Sequence, residues 1–222
     1  MKIVALCGSP RKNNSRTGQL LKEVLAGAQS VGADTEYIDL TGLKLNYCLG
    51  CDRCHHLGEC VQKDDFNSLF DKILSVDGLV LGSPVYIYHV TAQFKTWADR
   101  LGNAIHCQRL LGKYGAVVST AGGSGQDETA DYLELLLKRL GAQSVGRVAC
   151  VLDDGPIPAD AEPLGQARAL GVTLARAIEE KKEFPEQLRE QEGLRKYFRN
   201  VIIKRRDRWD WEYRYWLEKG WL

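Results

Sequence analysis

Apolar segments alternate with amphipathic segments along the first 180 residues of the chain. Most of the apolar segments are continuous, which is typical of strands buried on both faces of a sheet, and the second alternates between apolar and polar residues. They predict strands at 2–7, 33–40, 77–82, 113–119 and 144–152. In the segments between them, hydrophobic residues recur at helical spacing. These predict helices at 20–28, 64–74, 91–101, 127–140 and 164–178.

This regular alternation predicts a five-stranded parallel sheet with helices on both faces, the doubly wound α/β architecture. We expect the flavodoxin-like strand order 2-1-3-4-5, in which strands one, three and four are neighbours. Ligands of such sheets bind beyond the carboxyl ends of the strands. The loops that follow these three strands are therefore candidates for a shared binding site.

The loop after the first strand is polar and leads into a helix. Hydroxyl, amide and guanidinium groups fill it, at Ser9, Arg11, Asn13, Ser15, Arg16 and Thr17. Backbone N–H groups and the positive end of the helix dipole favour an anion at such a position, so we predict phosphate binding here. The loop matches neither the Walker A nor the G-x-G-x-x-G pattern. The alternative is that Ser15 or Thr17 only caps the helix.

The loops after strands three and four differ from the first loop in character. The third strand leads into an apolar and aromatic loop with Pro84, Val85, Tyr86 and Ile87. The fourth leads into a glycine-rich loop with Thr120, Ala121, Gly122 and Gly123, where a ligand can approach the backbone closely. Tyr86 and Tyr88 packed inside the protein are the alternative for the aromatic loop. Taken together, the three loops predict an FMN site, with the phosphate in the first loop and the flavin ring between the other two.

Four of the seven cysteines, Cys48, Cys51, Cys54 and Cys60, lie within a predicted insertion at 46–62. The spacing C-x2-C-x2-C-x5-C brings thiolates together if the backbone curls, and compact runs of this kind ligate cubane iron–sulfur clusters. Structural zinc sites more often use two separated C-x2-C pairs, although His55 and His56 offer further ligands. A zinc site, a redox-active cysteine pair and free thiols therefore remain alternatives to a [4Fe–4S] cluster.

Residues 181–222 differ from the domain predicted at 1–180. They hold 12 Lys and Arg against 8 Asp and Glu, and four of the five tryptophans. Trp209, Tyr213 and Trp216 are spaced to share one face of a helix. We expect this aromatic arm to be covered by its own domain or by a twin subunit, because monomers rarely expose so much apolar surface. Membrane-surface docking through Lys204, Arg205 and Arg206 is an alternative.

Composition excludes several classes of function. A formal net charge of +1 argues against nucleic-acid binding, and no stretch of about eighteen apolar residues offers a membrane span. The residues after Met1 lack the features of a signal peptide, and an odd number of cysteines does not fit a secreted disulfide framework. We therefore expect a cytoplasmic protein, whose cysteines stay reduced and available for metal.

The sequence resembles the iron–sulfur flavoproteins, within the NADPH-dependent FMN reductase group of flavodoxin-like folds. The resemblance covers about residues 1–180 and is carried by Gly8-Ser9-Pro10-Arg11-Lys12, the cysteine run, Ser83-Pro84-Val85-Tyr86, Ala92-Gln93-Phe94-Lys95 and Asp99-Arg100. It implies FMN on the three loops and a [4Fe–4S] cluster on the four cysteines. It also implies a homodimer or homotetramer, with each cluster near the flavin of a partner subunit.

These features predict an FMN-dependent electron-transfer oxidoreductase without a catalytic side chain, because flavin and iron supply the chemistry. NAD(P)H is expected as a transient donor, and a ferredoxin, a quinone or another small molecule as redox partner. One alternative is an NAD(P)H-dependent FMN or quinone reductase without a cluster. A redox sensor or carrier that acts through a protein partner is the other.

Overall fold

A computed structural model describes residues 1–153 and 155–222 and confirms the predicted sheet. The five strands are all parallel and lie in the order β2-β1-β3-β4-β5. They are β1 (Lys2–Cys7), β2 (Asp34–Asp39), β3 (Gly78–Pro84), β4 (Tyr114–Ala121) and β5 (Gln143–Val151). Strands β3 and β4 each extend two residues beyond the prediction, so the two strands pair as far as Pro84 and Thr120.

Helices cover both faces of the sheet. They are α1 (Arg16–Gln29), α2 (Arg53–Leu57), α3 (Phe66–Ser75), α4 (Ala92–Ala98), α5 (Gly102–His106), α6 (Gln126–Arg139), α7 (Glu162–Glu179), α8 (Pro185–Lys204) and α9 (Asp210–Glu218). Successive residues of a strand point to opposite faces. Accordingly, Ile3 and Ala5 pack with α1 and α7, whereas Val4 and Leu6 pack with α3, α4 and α6.

The helix predicted at 91–101 is shorter in the structure, and a second short helix follows it beyond the predicted segment. Thr91 caps α4 by accepting a hydrogen bond from the backbone N–H of Phe94, and α4 ends at Ala98. A turn then leads into α5, whose last residue is His106. The break redirects the chain, so that Arg100 and Asn103 face the segment that contains the cysteines.

Residues 181–222, which we call the C-terminal arm, fold back onto their own domain. Helix α8 runs along the β5 edge, where Gln191 donates to the carbonyl oxygen of Ala142 at 3.0 Å. Helix α9 packs against α2, and Trp209 and Trp216 are buried with Cys107. Coverage by its own domain, one of the two expected arrangements, is therefore present within a single chain. No helix in residues 1–153 or 155–222 combines the length and hydropathy that a bilayer span requires.

Helices α1 and α7 approach each other closely because each has a glycine at the contact. A Cβ added to Gly171 would lie 1.8 Å from the carbonyl oxygen of Val24, and one added to Gly27 would lie 2.0 Å from that of Arg168. Neither overlap can be relieved by rotating a side chain, because both atoms belong to the backbone. The separation of these helices, and hence the position of the N-terminus of α1, depends on the two glycines.

We predict that Gly171→Ala lowers the free energy of unfolding by about 3 kcal/mol, because the helices must separate to admit the methyl group. Gly165→Ala on the same helix is the control. It is exposed with open space around its Cβ, so alanine there should be neutral or stabilise the protein by up to about 1 kcal/mol. Urea unfolding measures both values. Equal effects of the two substitutions would contradict the role given to the contact.

Candidate functional site

The loops after β1, β3 and β4 meet at the carboxyl edge of the sheet and are joined by hydrogen bonds. The Thr17 and Thr120 hydroxyl oxygens lie 2.7 Å apart and are buried. The backbone N–H of Val85 donates to the carbonyl oxygen of Thr120 at 2.8 Å. The Thr91 hydroxyl donates to the carbonyl oxygen of Gly8 at 2.6 Å. These bonds fix the three loops relative to one another.

A cavity of about 650 Å³ lies over the N-terminus of α1. Its lining residues are Arg11, Asn13, Asn14, Ser15, Arg16, Gln19, Gly155 and Pro156. Ser15 is the N-cap of α1 and accepts from the backbone N–H of Gly18 at 2.8 Å. The first turn of the helix carries no acidic residue, so nothing on the helix neutralises its positive end. This cavity offers an anion the helix dipole and the charge of Arg11.

Arg16 links the first loop to the loop after β5. Its Nη1 donates to the carbonyl oxygen of Leu152 at 2.6 Å and to that of Asp153. Arg16 lines the cavity while its guanidinium holds the 152–153 backbone beside it. The sequence pattern indicated a phosphate ligand at Arg16 but contained no sign of this long-range bond.

A second cavity, of about 140 Å³, lies beside the first, and Arg11 and Arg16 line both. It is lined by Ser9, Arg11, Arg16, Thr17, Pro84, Val85, Tyr86, Thr120, Ala121 and Gly122. Of the fourteen residues expected to bind FMN, ten are in this lining, Asn13 and Ser15 line the first cavity, and Ile87 and Gly123 line neither. The structure therefore brings the polar, aromatic and glycine loops around one continuous site.

The aromatic loop leaves its side chains exposed. Tyr86, Ile87 and Tyr88 are 44%, 95% and 70% exposed, so the alternative of internally packed tyrosines is wrong. Ile87 and Tyr88 have positive φ angles of 48° and 58°. A β-branched residue in this conformation is strained, and such strain persists where the surrounding structure or a ligand requires the loop shape. An apolar loop held open beside an anion site fits a flavin ring with a phosphate tail.

The cysteine segment, residues 46–62, lies between β2 and α3, as predicted. Its backbone turns at Gly50, Asp52 and Gly58, which all have positive φ angles. Cys48 and Cys51 are exposed, whereas Cys54 and Cys60 are half-buried. The short helix α2 within the segment includes Cys54, His55 and His56.

A buried ion pair holds the ends of the cysteine segment. The Arg100 guanidinium donates to both carboxylate oxygens of Asp64, at 2.5 and 3.0 Å, and to the Cys60 sulfur at 3.0 Å. The Arg100 and Asp64 side chains are 1% and 0% exposed. Asp64 also accepts from the backbone N–H of Asn46 at 2.8 Å and from that of Phe66 at 3.2 Å. Asp64 thus fixes the start of the segment and the start of α3.

The sequence did not reveal the role of Arg100. Its sequence neighbour Asp99 pairs with Lys95, one helical turn earlier, and Arg100 pairs with Asp64. Burial by itself would raise the pKa of Asp64, but the hydrogen bonds from Arg100 and from the backbone outweigh burial and lower the pKa. Asp64 is therefore a carboxylate at neutral pH, and Arg100 places a buried positive charge against Cys60.

Glu212 of the C-terminal arm is buried among polar side chains of two other elements. Its side chain is 0% exposed. Its carboxylate lies 2.5 Å from Nδ1 of His55 and 3.1 Å from Nδ1 of His106, and Asn103 donates to it at 3.3 Å. Trp209 stacks on both histidine rings. The sequence indicated His55 only as a possible zinc ligand and gave no reason to single out Glu212.

Protonated His55 places a positive charge inside this buried group. Burial by itself would lower the pKa of His55, but its contacts with Cys54 and Glu212 outweigh burial and raise the pKa to about 10. A carboxylate only accepts hydrogen bonds, so both histidines donate to Glu212. The distance of 2.5 Å is a hydrogen-bond distance, whereas two ligands of one tetrahedral zinc ion at about 2.1 Å lie about 3.4 Å apart. The geometry is that of a hydrogen-bonded network.

The sulfurs of the cysteine segment are spread more widely than the ligands of one ion. In the part of the chain that the structure describes, the group of three metal-ligating side chains with atoms within 4.8 Å of one another is His55, His106 and Glu212. The cysteines form no such group. Four thiolates on one tetrahedral zinc would lie about 3.8 Å apart, from a Zn–S bond of about 2.3 Å. The observed arrangement is wider than a mononuclear zinc site.

The fold is that of a flavodoxin-like domain. Among solved structures it is similar to a flavone reductase, with a TM-score of 0.65 and 24% identity over 81% of this chain and 63% of the other. It is also similar to an archaeal flavodoxin, with a TM-score of 0.56 and 18% identity over 81% of this chain and 99% of the other. At these identities the likeness shows the fold alone.

Sequence comparison identifies the family. The family model for NADPH-dependent FMN reductases matches residues 1–156. An iron–sulfur flavoprotein of Archaeoglobus fulgidus is 35% identical over 225 aligned residues, which cover both chains completely. Another, of Methanocaldococcus jannaschii, is 37% identical over 130 residues, which cover 58% of this chain and 67% of the relative. The chain belongs to the NADPH-dependent FMN reductase family and, within it, to the iron–sulfur flavoproteins. It is an FMN-dependent electron-transfer oxidoreductase.

We predict that Asp64→Asn lowers the free energy of unfolding at pH 7 by about 3 kcal/mol, because it leaves the buried Arg100 charge unpaired. The lowered pKa of Asp64 means that its contribution is present above about pH 4 and is lost as the pH falls through the folded-state pKa. The difference in free energy of unfolding between wild type and Asp64→Asn should therefore become smaller at acidic pH.

Urea unfolding at pH 7 and pH 3 measures this difference. Asp65→Asn is the control, since Asp65 is exposed and accepts a bond from the backbone N–H of Lys44. Its effect should stay below about 1 kcal/mol. If Asp64→Asn behaved like Asp65→Asn at pH 7, Arg100 would not depend on Asp64 for its charge balance.

Proposed function

We propose that this protein passes electrons between FMN and a [4Fe–4S] cluster held by Cys48, Cys51, Cys54 and Cys60. The observation that carries the proposal is the pairing of two sites in one fold. One is a cavity at the β1, β3 and β4 edge, with an anion-binding helix end beside an open aromatic loop. The other is a curled cysteine segment in which a buried arginine donates to a thiolate ligand.

The residues around the cavity fit FMN. Ser9, Arg11, Asn13, Ser15, Arg16 and Thr17 would surround the phosphate, and the N-terminus of α1 would compensate its charge. Pro84, Val85, Tyr86 and Ile87 would cover the ring, with Thr120, Ala121, Gly122 and Gly123 at its far edge. Bound FMN would supply the conversion between two-electron and one-electron transfer. The side chains position the cofactor and exclude water, and none is needed as nucleophile or general base.

The cysteine segment is a candidate cluster site. Its run C-x2-C-x2-C-x5-C is compact, and its relatives in Archaeoglobus and Methanocaldococcus are named iron–sulfur flavoproteins. A cubane cluster there would supply one-electron transfer. Arg100 would stabilise the charge on the Cys60 thiolate, and hydrogen bonds to ligand sulfurs are one means by which proteins set cluster potentials.

Two copies of the chain would bring the sites together. Among the residues that the structure describes, the lining of the flavin cavities shares no member with the cavity that contains Cys54 and Cys60. Tyr47 and Leu49, which flank Cys48, are 78% and 68% exposed, and Ile87 of the flavin loop is exposed as well. We propose a homodimer or homotetramer in which the cysteine segment of one subunit covers the flavin loop of another.

The remaining partners follow from the chemistry. NAD(P)H would act as a transient two-electron donor, and a ferredoxin, a quinone or another small molecule would exchange electrons with the protein. The unpaired cysteines favour a reducing compartment such as the cytoplasm.

A reductase without a cluster is the second candidate. It is favoured by the 32% identity over 130 residues with an NADPH:quinone oxidoreductase of Arabidopsis thaliana, which covers 56% of this chain and 60% of the relative. In that case the cysteine segment would have no redox role. Iron analysis of the purified protein separates the two candidates.

We predict that Arg11→Gln weakens FMN binding about tenfold, since it removes one charge-assisted contact to phosphate. Riboflavin, which has no phosphate, should bind wild type and variant equally. Lys12→Gln is the matched control, because Lys12 is the exposed neighbour of Arg11 and lines neither flavin cavity. Fluorescence titration of the flavin-free protein measures all affinities. A uniform loss for FMN and riboflavin would place Arg11 away from the phosphate.

We predict that the protein purified without oxygen contains FMN and about four irons and four sulfides per chain. Cys60→Ser should lower the iron content and leave the flavin in place. Cys150→Ser, on β5 outside the segment, should change neither. Iron, acid-labile sulfide and absorption measurements check this. Wild-type protein with flavin but no iron or sulfide would contradict the cluster and support the plain reductase.

A further inference from the structure

We propose that the C-terminal arm retains the cysteine segment, and that Glu212 is the positioning residue through which it does so. The inference rests on the proposed function, since it concerns how the cluster ligand Cys54 is held. In this proposal residues 181–222 keep the cluster in place, and residues outside the arm bind the flavin.

Residues 208–212 of the arm contact one short stretch of the cysteine segment, through three polar side chains and the rings of Trp209 and Trp211. Arg208 donates to the Asp52 carboxylate at 2.7 Å, and Asp210 contacts His56. Glu212 accepts from His55. These contacts surround Cys54, which lies between Asp52 and His55 in α2. The arm therefore contacts the middle of the cysteine segment, whereas Asp64 and Arg100 contact its two ends.

Glu212 joins this stretch to the body of the domain. Its carboxylate accepts from His55 on α2 and from His106 and Asn103 on α5. Asn103 in turn donates to the carbonyl oxygen of Cys54 at 3.2 Å. Without the carboxylate, the buried Nδ1–H of His55 would lose its hydrogen-bond acceptor. The favourable response is for α2 to move outward into water, which carries Cys54 with it.

The space around Gly58 is independent evidence that the arm contacts α2. A Cβ added there would lie 2.2 Å from the Trp211 ring, so the arm closes directly over the end of α2. Gly50 lies in the same segment with a similar positive φ angle, but its Cβ would meet nothing within 4 Å. The two glycines share the same backbone requirement and differ in whether the arm lies above them.

The flavin cavities do not involve the arm. Within residues 1–153 and 155–222, their linings contain residues of the loops after β1, β3, β4 and β5 and of the first turn of α1. None of the lining residues belongs to 181–222. Loosening the arm should therefore release iron while the flavin stays bound. A general loss of stability would affect both cofactors, so the two effects are separable.

The test compares Glu212→Ala with Glu218→Ala, which removes an exposed carboxylate from the same helix. With an iron chelator present, Glu212→Ala should lose its cluster absorbance about tenfold faster than wild type, the factor expected from losing about 1.4 kcal/mol of hydrogen bonding. Flavin content should be unchanged. Glu212→Gln keeps one acceptor oxygen, so its rate of cluster loss should lie between those of wild type and Glu212→Ala. Equal rates in wild type and Glu212→Ala would overturn the inference.

A second measurement does not depend on iron. Hydrogen exchange of residues 52–58 in cluster-free, FMN-bound protein should be faster in Glu212→Ala and in Gly58→Ala, and unchanged in Glu218→Ala and Gly50→Ala. If wild type binds no iron, the proposed cluster fails, yet this exchange still reports on the arm. If Glu212→Ala does not fold, Gly58→Ala against Gly50→Ala gives the answer. Unchanged exchange in Gly58→Ala would overturn the inference.

Discussion

Parallel pairing of β1, β3 and β4 is the constraint on which the flavin site depends. The register sets Cys7 beside Gly82 and Pro84 beside Thr120, so the three strands end at one edge. Parallel strands cannot be joined by short hairpins, and each of these three is followed by a loop at this edge and then by a helix. Three loops of different chemistry therefore meet there, and the buried Thr17–Thr120 bond fixes their spacing. The site follows from the topology, and the loop residues determine what it binds.

Buried ion pairs position the cysteine segment, as strand pairing positions the three loops. Arg100–Asp64 and His55–Glu212 each join this segment to another element of the fold. Removing charges from water is costly, and the cost is offset only while both partners stay in place with their hydrogen bonds made. The segment leaves its large apolar side chains exposed, so these pairs select its conformation. One pair sits at its ends and the other at its middle, which leaves Cys48 and Cys51 at the surface.

The two sites divide the molecule by function. The sheet, with α1 and the three loops, forms the proposed flavin site, while α5 and α9 pack against α2 of the cysteine segment. The aromatic residues of the arm belong to the second part, since Trp209 stacks on His55 and His106 and Trp211 covers Gly58. An arm that the sequence marked only as basic and aromatic is thus part of the construction of the cysteine site. The proposed flavin site and the cysteine segment line separate cavities, which is the arrangement on which the proposed transfer between subunits rests.

The sequence by itself determined the positions of the strands, the chemistry of the three loops and the spacing of the cysteines. These are local properties, since hydrophobic periodicity and residue type act over a few neighbouring positions. The strand order followed from the regular alternation of strands and helices. Only the tertiary structure decided which acid meets which base. Asp64 lies 36 residues from Arg100, and Glu212 lies 157 residues from His55 and 106 from His106. A linear pattern brings together only nearby charges, such as Lys95 and Asp99, which pair one helical turn apart. A buried pair instead forms where folding removes both groups from water, and that location exists only once the helices have packed.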